Sequence, residues 1–400
     1  MVKISERVND MRQSAAILVD QKVRELSAAG HDIIGLGSGE PDFDTPEHIK
    51  EAALEAMRVG KTKYTAVDGI AELKEAIKKK FQIENNLSFE TPQISVGAGG
   101  KQIIANAFAA TLNLGDEVII PAPYWVTYPD ASRVWGGKPV IVECPQIQNF
   151  KMKPDQLKAV ISDKTKWLII NSPSNPSGAM YEAGELKAIA DVLGDYPQVN
   201  IMTDDIYEHI IFDGRTFVTI NQIAPELADR TLIVNGVSKT YCMTGWRIGY
   251  GAGPVEIIKA MAKIQGQTTT HPSSISQHAA VGALTGEQKF ITTYVEAYQR
   301  RRDFVVEALN EADGINCLTP EGAFYVYPSC AGTINKIAPN GMCIETDEKF
   351  ALALLECEGV AVVHGAAFGL SPHFRITTAA ADEKLREACF RIQRFCKNLV

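Results

Sequence analysis

The chain has 400 residues, with 40 basic and 48 acidic side chains and a formal net charge of −8. Its 46% hydrophobic and 22% charged residues are typical of globular proteins and exclude disordered, fibrous and membrane classes. A pI near 5.5 argues against a nucleic acid or an anionic membrane as the main partner. The length suggests two or three domains, or one large domain and one small one.

The first residues, 1–7, are charged and lack the apolar core of a signal peptide. No apolar run approaches the roughly 18 residues that a membrane helix needs. The eight cysteines are scattered without a Cys-x-x-Cys pair, which is typical of reduced thiols rather than of disulfides or a zinc site. These features predict a cytoplasmic protein without a metal site.

Short β-rich runs alternate with helical patterns through the middle of the chain. The runs are continuously apolar, so both faces of the sheet should be covered, as in an α/β fold with a mostly parallel sheet flanked by helices. Sites in such sheets gather at the carboxyl ends of the strands. The predicted strands cover 93–97, 117–121, 139–143, 166–171, 200–203 and 231–235, and the helices between them include 101–113, 183–193 and 255–265.

The last hundred residues have a different pattern, which indicates a smaller α+β unit packed on the first. The predicted elements are a polar helix over 287–312, short strands around 323–327 and 360–363, and an amphipathic helix over 382–398. The sequence therefore predicts a large domain over 46–290 and a small domain built from 1–45 and 291–400.

Polar residues follow three of the predicted strands, in the order Asn175, then Asp204 and Tyr207, then Lys239 with Arg247 eight residues later. A lysine at a strand end is well placed for chemistry, and an arginine can hold a phosphate with its planar fork. Each feature also has a structural alternative. Asn175 fits an ordinary turn, Asp204 fits a helix N-terminus, and Lys239 fits a solvated surface.

Two stretches carry a resemblance to a known family. Residues 238–249 read Ser-Lys-Thr-Tyr-Cys-Met-Thr-Gly-Trp-Arg-Ile-Gly, and residues 37–46 read Gly-Ser-Gly-Glu-Pro-Asp-Phe-Asp-Thr-Pro. Together with the preceding polar residues they resemble, over essentially the whole chain, the class I aminotransferases among the fold-type I pyridoxal 5'-phosphate (PLP) enzymes. The most similar subgroup is the bacterial aspartate aminotransferases, which includes the aspartate/prephenate aminotransferases.

The resemblance implies the fold of the type I PLP-dependent transferases. It also implies a reversible, ping-pong transfer of the amino group between L-aspartate and 2-oxoglutarate, which gives oxaloacetate and L-glutamate. Prephenate, converted to arogenate, is implied as a further acceptor. The expected partners are therefore small amino acids and 2-oxo acids.

The resemblance implies a PLP site with assigned residues. Lys239 would bind PLP covalently and carry a proton to and from the substrate, because a neutral amine is nucleophilic. Asp204 would pair with the ring nitrogen, and Tyr207 and Asn175 would bind the phenolic oxygen. The remaining contacts would be Arg247, Ser238 and the backbone amides of Gly99, Gly100 and Lys101 at the phosphate, Trp125 on the ring face, and Tyr64 from the neighbouring subunit. The protein is thus expected to be a homodimer with shared active sites.

A substrate site is implied in the same way. Arg375 matches the arginine that binds the α-carboxylate, since a guanidinium makes two parallel bonds to a carboxylate. Lys101 would bind the distal carboxylate, because the stretch 267–274 offers no arginine for that task. Arg12 falls where the subgroup carries a basic residue for prephenate, although a solvated surface charge is its alternative. The other residues of the α-carboxylate end would be Gly39, Trp125 and Asn175.

Other functions remain open at this point. An aromatic or alanine aminotransferase, or a carbon–sulfur lyase, would use the same cofactor residues, although Lys101 favours a dicarboxylate. A non-enzymatic PLP-binding regulator should carry an additional N-terminal DNA-binding module, whereas the aminotransferase-like sequence begins within the first few residues. The glycines at 35, 37 and 39 lack the helix pattern of a dinucleotide fingerprint, which disfavours a nicotinamide dehydrogenase.

Overall fold

A computed structural model describes residues 3–5, 8, 11 and 15–400, with the backbone alone at Ala16. A seven-stranded sheet runs through its centre in the order β2-β8-β7-β6-β5-β3-β4. The strands of this sheet are β2 (Ile94–Gly97), β3 (Glu117–Ala122), β4 (Lys138–Glu143), β5 (Thr165–Asn171), β6 (Asn200–Asp204), β7 (Thr231–Gly236) and β8 (Gly249–Ala252). The predicted α/β architecture is confirmed.

Strand β8 is the one element of this sheet that the sequence pattern does not predict. It pairs antiparallel with both β7 and β2, whereas the pairs β3–β4, β3–β5, β5–β6 and β6–β7 are parallel. Glycine has a low strand propensity, so Gly-Tyr-Gly-Ala does not look like a strand. A Cβ at Gly249 would overlap the backbone of Gly100, and one at Gly251 would lie 2.8 Å from the Ile103 side chain. Close packing therefore selects glycine here.

Helices cover both faces of the sheet, and the strands β2 and β7 are buried along their whole length. No described helix is long and apolar enough to cross a membrane. The helices are α1 (Ala15–Ala28), α2 (Glu47–Arg58), α3 (Ala71–Asn85), α4 (Gly100–Thr111), α5 (Thr127–Val134), α6 (Pro154–Val160), α7 (Ala183–Gly194), α8 (Ile220–Ile223), α9 (Val255–Thr268), α10 (Ser274–Thr285), α11 (Lys289–Asn310), α12 (Asp347–Glu358) and α13 (Asp382–Lys397).

A second unit contains the remaining strands. These are β1 (Ile34–Gly35), β9 (Tyr325–Val326), β10 (Val360–Ala361), β11 (Val363–His364) and β12 (Phe374–Thr377). β1 pairs parallel with β10, and β11-β12-β9 form an antiparallel sheet. Ile34 and Leu36 share one apolar core with residues from the range 305–399, whereas three other cores lie within 49–291. Two smaller cores contain residues of both units and pack them together. The domain division at residues 45 and 290 stays a prediction.

The topology brings the predicted polar residues to one edge of the large sheet. The loops after β2, β3, β5, β6 and β7 leave from the carboxyl ends of parallel strands, which lie at the same edge. Because β8 runs in the opposite direction, its amino end also lies there, and Arg247 comes two residues before it. From the second unit, β12 contributes Arg375.

Candidate active site

A cavity of about 340 Å³ lies at this edge of the sheet. Eleven of the fourteen residues predicted for the site line it, so the structure brings most of the predicted site together. They are Gly39, Gly100, Lys101, Trp125, Asn175, Asp204, Tyr207, Ser238, Lys239, Arg247 and Arg375. Gly99 and Tyr64 do not line it, and Arg12 lies outside the described residues.

Lys239 lies in the turn that follows β7. Its Nζ donates a hydrogen bond to the carbonyl of Gly39 at 2.6 Å. Burial, and secondarily the charge of Arg375, lowers its pKa to about 8. Burial disfavours the charged form of an amine, so the neutral form of this lysine is far more populated near neutral pH than that of an ordinary lysine. A neutral amine can act as a nucleophile or as a base.

Asp204 ends β6 and is buried. Its Oδ2 accepts a hydrogen bond from the Tyr128 hydroxyl at 2.6 Å, and Asn171 Nδ2 donates to its backbone carbonyl at 2.8 Å. Burial raises the pKa of Asp204 to about 6, although the Tyr128 hydrogen bond opposes this rise. A buried carboxylate with one side-chain donor and an open side on a cavity suits a cationic ligand group.

Asp205, which received no role from the sequence, points elsewhere. Its Oδ1 accepts from the Thr203 hydroxyl at 2.6 Å, and it does not line the cavity.

Arg375 and Asn175 form one end of the cavity. Arg375 Nη1 donates to Asn175 Oδ1 at 2.9 Å, and Nη2 donates to the carbonyl of Gly37. The Arg375 side chain is buried, yet its Nε has no hydrogen-bond partner among the described residues. An unused donor on a buried guanidinium at a cavity fits a carboxylate ligand. Asn175 is itself held by its backbone amide, which donates to Asn171 Oδ1 at 2.8 Å.

A second cationic region surrounds the first turn of α4. Arg247 Nη1 donates to the carbonyl of Thr244 at 2.9 Å, and Nη2 donates to that of Ala98 at 3.3 Å. Gly99 has φ +86°, and a Cβ there would overlap the Arg247 guanidinium. Glycine therefore lets the guanidinium lie against a helix N-terminus, where the backbone amides also attract anions. This arrangement fits a phosphate.

Gly99 supports this arrangement without lining the cavity. Its amide already donates to the carbonyl of Gly97 at 2.8 Å. Backbone amides of three residues were predicted to bind the phosphate. Two of these residues, Gly100 and Lys101, line the cavity. The role of Gly99 that the structure supports is to leave room for Arg247.

Lys101 and Trp125 lie side by side. The Lys101 Nζ is 5.2 Å from the centre of the Trp125 ring, a cation–π distance. Desolvation by neighbouring groups, and then the charge of Arg247, lowers the pKa of Lys101. Trp125 in turn packs edge-on against Tyr128, with 5.4 Å between the ring centres.

Tyr64 remains apart from this cavity. Tyr64 is 90% exposed, and its ring packs edge-on against His271 at 5.6 Å. It does not line the cavity of its own chain, as expected if it serves a neighbouring subunit. Arg12 lies outside the described residues.

Ten further residues line the cavity and received no role from the sequence, among them Asp20, Tyr128, Asn171 and Tyr325. Tyr128 follows Trp125 by about one helical turn, a spacing that could have found it. Tyr325 lies in the aromatic run 324–327, which was interpreted only as a strand. Asn171 is the last residue of a predicted strand, so its position was the one signal that it belongs to the site. Nothing in the pattern around Asp20 distinguishes it from a surface acid.

Residues 31–392 match the family of class I and II aminotransferases. The chain belongs to this family. It is 60% identical to the aspartate/prephenate aminotransferase of Cereibacter sphaeroides, over the full length of both chains. It is 50% identical to the aspartate aminotransferase of Rhizobium meliloti, over 99% of this chain and 96% of that one.

Solved structures of aminotransferases are similar over the whole chain. The crystal structure of the Rhizobium meliloti aspartate aminotransferase superposes with a TM-score of 0.97 and 50% identity, covering all of both chains. That of Thermus thermophilus aspartate aminotransferase with maleate superposes with a TM-score of 0.92 and 42% identity, covering 99% of this chain and all of that one. The predicted fold-type I architecture is confirmed.

Aminotransferases of this class use PLP, and the residues of the cavity fit that cofactor. The glycine-lined cradle at α4 and Arg247 suits the phosphate. The buried Asp204 suits a protonated ring nitrogen, and the amine of Lys239 suits an aldehyde. When bound here, PLP would supply an electron sink for a carbanion.

Proposed function

We propose that the chain is an aspartate aminotransferase that exchanges the amino group reversibly between L-aspartate and 2-oxoglutarate in a ping-pong reaction. The observation that carries the proposal is that the cavity contains two cationic side chains in addition to Lys239 and Arg247, which are assigned to PLP. These two side chains are Arg375 and Lys101. A dicarboxylate needs one cation for each carboxylate. The names of the relatives support the same substrate, and maleate, bound by the Thermus relative, is itself a dicarboxylate.

The residues divide the work in the proposed reaction. Arg375, oriented by Asn175, holds the α-carboxylate, and Lys101 holds the distal carboxylate. The neutral amine of Lys239 removes the proton from the substrate α-carbon and later returns it on the cofactor side. With PLP bound, Asp204 would stabilise a protonated ring nitrogen, and Tyr207 and Asn175 would bind the phenolic oxygen. Trp125 would cover the ring.

We also propose a homodimer whose subunits share their active sites. The support is the exposure of Tyr64, together with Met57 and Val59, which are 44% and 58% exposed apolar side chains nearby in sequence. A second copy of the chain would cover them, and Tyr64 would reach the phosphate of that copy's cofactor. The cytoplasmic location stays a prediction.

Prephenate is proposed as a second acceptor because the Cereibacter relative is named for it. A lysine is a flexible point charge rather than a rigid fork, so Lys101 should tolerate a different position of the second carboxylate. The role of Arg12 in this activity stays a prediction.

Replacing Lys101 with Ala tests the substrate assignment. Because the distal carboxylate would lose its cation, kcat/KM for aspartate should fall about 100-fold, which corresponds to a charge-assisted hydrogen bond of about 2–3 kcal/mol. The value for phenylalanine, which has no second carboxylate, should fall less than about fivefold. Single-turnover reactions of the PLP form with each donor measure both.

A matched control is Lys138→Ala, which removes an exposed lysine on the edge strand β4 and should change neither value. Equal losses for aspartate and phenylalanine in Lys101→Ala would mean that Lys101 does not bind the distal carboxylate. An enzyme that transaminates aromatic donors but not aspartate would contradict the proposed function itself.

A further inference from the structure

Two buried phenols connect the two units of the chain at the cavity. The hydroxyl oxygens of Tyr207 and Tyr325 are 2.9 Å apart, and both residues line the cavity. Tyr207 follows β6 of the large sheet, and Tyr325 begins β9 of the second unit. β9 pairs with β12, the strand that carries Arg375. One hydrogen bond therefore joins the cofactor end of the site to the strand pair that holds the substrate carboxylate.

The direction of this hydrogen bond matters for the cofactor. Each phenol has one hydrogen, and only one hydrogen can lie between the two oxygens. If Tyr207 donated to Tyr325, no hydrogen of Tyr207 would remain for the phenolic oxygen of PLP. If Tyr325 donates, the Tyr207 hydrogen can point into the cavity, and the bond that Tyr207 accepts strengthens the bond that it donates.

Arg375 favours Tyr325 as the donor. The guanidinium carbon of Arg375 lies 4.5 Å from the centre of the Tyr325 ring. Burial raises the pKa of both phenols, and the charge of Arg375 opposes this rise at both. At Tyr325 this charge comes directly after burial in size, whereas at Tyr207 it ranks behind the effects of Tyr325 and the pKa stays well above its usual value. The phenol nearer the cation is the more acidic one and therefore the better donor.

We propose that Tyr325 is a positioning residue: its hydroxyl donates to Tyr207 and directs the Tyr207 hydrogen to the cofactor, while its ring supports Arg375. The inference rests on the proposed function, because Tyr207 has this task only in a PLP-loaded site. A single side chain of the second unit thereby positions one group at the cofactor and one at the substrate carboxylate.

The hydroxyl is tested by a pH titration of the visible absorption of the PLP-loaded enzyme without substrate. A hydrogen bond donated to the phenolic oxygen favours its unprotonated form, so losing the bond raises the midpoint of the titration. Tyr207→Phe should raise it by about one pH unit and Tyr325→Phe by about half of that. In the double variant, Tyr325→Phe should add nothing, because its effect passes through Tyr207.

Tyr327→Phe is the matched control. It removes another buried phenol two residues away, whose hydroxyl lies 2.7 Å from the Leu370 carbonyl oxygen and 3.2 Å from that of Gly365. The midpoint should stay at the wild-type value. A wild-type midpoint in Tyr325→Phe, or a further shift in the double variant, would overturn the proposed role of the hydroxyl. Wild-type turnover of aspartate is measured first, so failure of the proposed function is seen separately.

The ring is tested by steady-state kinetics. Tyr325→Phe keeps the ring under Arg375, so KM for aspartate and for phenylalanine should stay within about twofold of wild type. Tyr325→Leu removes the ring and should raise both KM values about five- to tenfold, because both donors use the α-carboxylate site. If circular dichroism shows that Tyr325→Leu does not fold, Tyr325→Met is used in its place. If Tyr325→Phe and Tyr325→Leu had equal KM values, the proposal that the Tyr325 ring supports Arg375 would be contradicted.

Discussion

Two buried carboxylates only four residues apart, Asp204 and Glu208, have opposite surroundings. They are 4% and 5% exposed, so burial alone does not distinguish them. Asp204 accepts one side-chain hydrogen bond, from Tyr128, and faces the cavity. The partners of Glu208 are the amine of Lys80, Asn85 Nδ2 at 2.9 Å and Asn235 Nδ2 at 2.6 Å.

The difference appears in the pKa values of the two carboxyl groups. Burial raises the pKa of Asp204 to about 6. Burial would also raise that of Glu208, but the charge of Lys80, helped by His209 and the hydrogen bonds, lowers it to about 2. The lysines differ in the same way, since Lys80 is paired with Glu208 whereas Lys239 forms no ion pair among the described residues.

The comparison separates structural charge from functional charge. Glu208, in the loop after β6, binds the end of α3 and Asn235 of β7, and its hydrogen-bonding groups are used within the protein. Asp204 and Lys239 leave bonding capacity open at the cavity. An unpaired buried charge costs free energy. Such a charge is therefore typical of a site where a ligand supplies the opposite charge.

The largest expected effect comes from the two lysines. Lys239→Ala should reduce transamination of aspartate about 10⁴-fold and abolish the visible absorption of bound PLP, because the amine is both attachment point and base. Lys80→Ala should instead lower the unfolding free energy by about 3–5 kcal/mol, since it leaves Glu208 as an unpaired buried charge. Rate measurements and urea denaturation distinguish the two. An unchanged rate and spectrum in Lys239→Ala would refute the assignment.

A smaller effect is expected when each carboxylate is made neutral. In cofactor-free protein, Glu208→Gln should lower the unfolding free energy by about 3 kcal/mol, whereas Asp204→Asn should leave it unchanged or raise it. Urea unfolding curves measure both changes, and the two variants control for each other because each removes one buried negative charge, at positions only four residues apart. Equal destabilisation would mean that both carboxylates are structural.

The smallest effect is a dependence on pH. The pKa of Asp204 is about 6 in the folded chain and about 3.9 when unfolded, so the folded state binds its proton more tightly. Its contribution to stability therefore falls by about 2 kcal/mol as pH rises from about 4 to 6. The contribution of Glu208, with a folded pKa of about 2, is complete above about pH 4.3 and is lost only as pH falls below that.

The pH effect is measured as the difference in unfolding free energy between wild type and Asp204→Asn, both cofactor-free, at pH 4 and at pH 7. As pH rises, the unfolding free energy of wild type should fall relative to that of Asp204→Asn. Loading with PLP should remove this trend, because the ring nitrogen then stabilises the charged carboxylate. A difference that does not depend on pH would contradict the raised pKa of Asp204.

Much of the site could be predicted because some of its residues carry local signals and the resemblance to the family implied the rest. Lys239, Asp204 and Asn175 each follow an apolar run, and parallel strands place such residues at one edge. Tyr325 carried no such signal, because its role depends on a hydroxyl 118 positions away in the chain. Strand β8 was also missed, since its glycines have a low strand propensity and are required by contacts with α4.

The sequence by itself determined the alternation of strands and helices, the family, and the chemistry available at the strand ends, because these depend on local pattern and residue type. Only the tertiary structure decided which buried charges are paired with groups of the protein itself. Asp204, Asp205 and Glu208 look alike along the chain, yet one faces the cavity, one bonds Thr203 and one pairs with Lys80. The pKa of a buried carboxyl depends on partners that approach from distant segments, and folding alone places them.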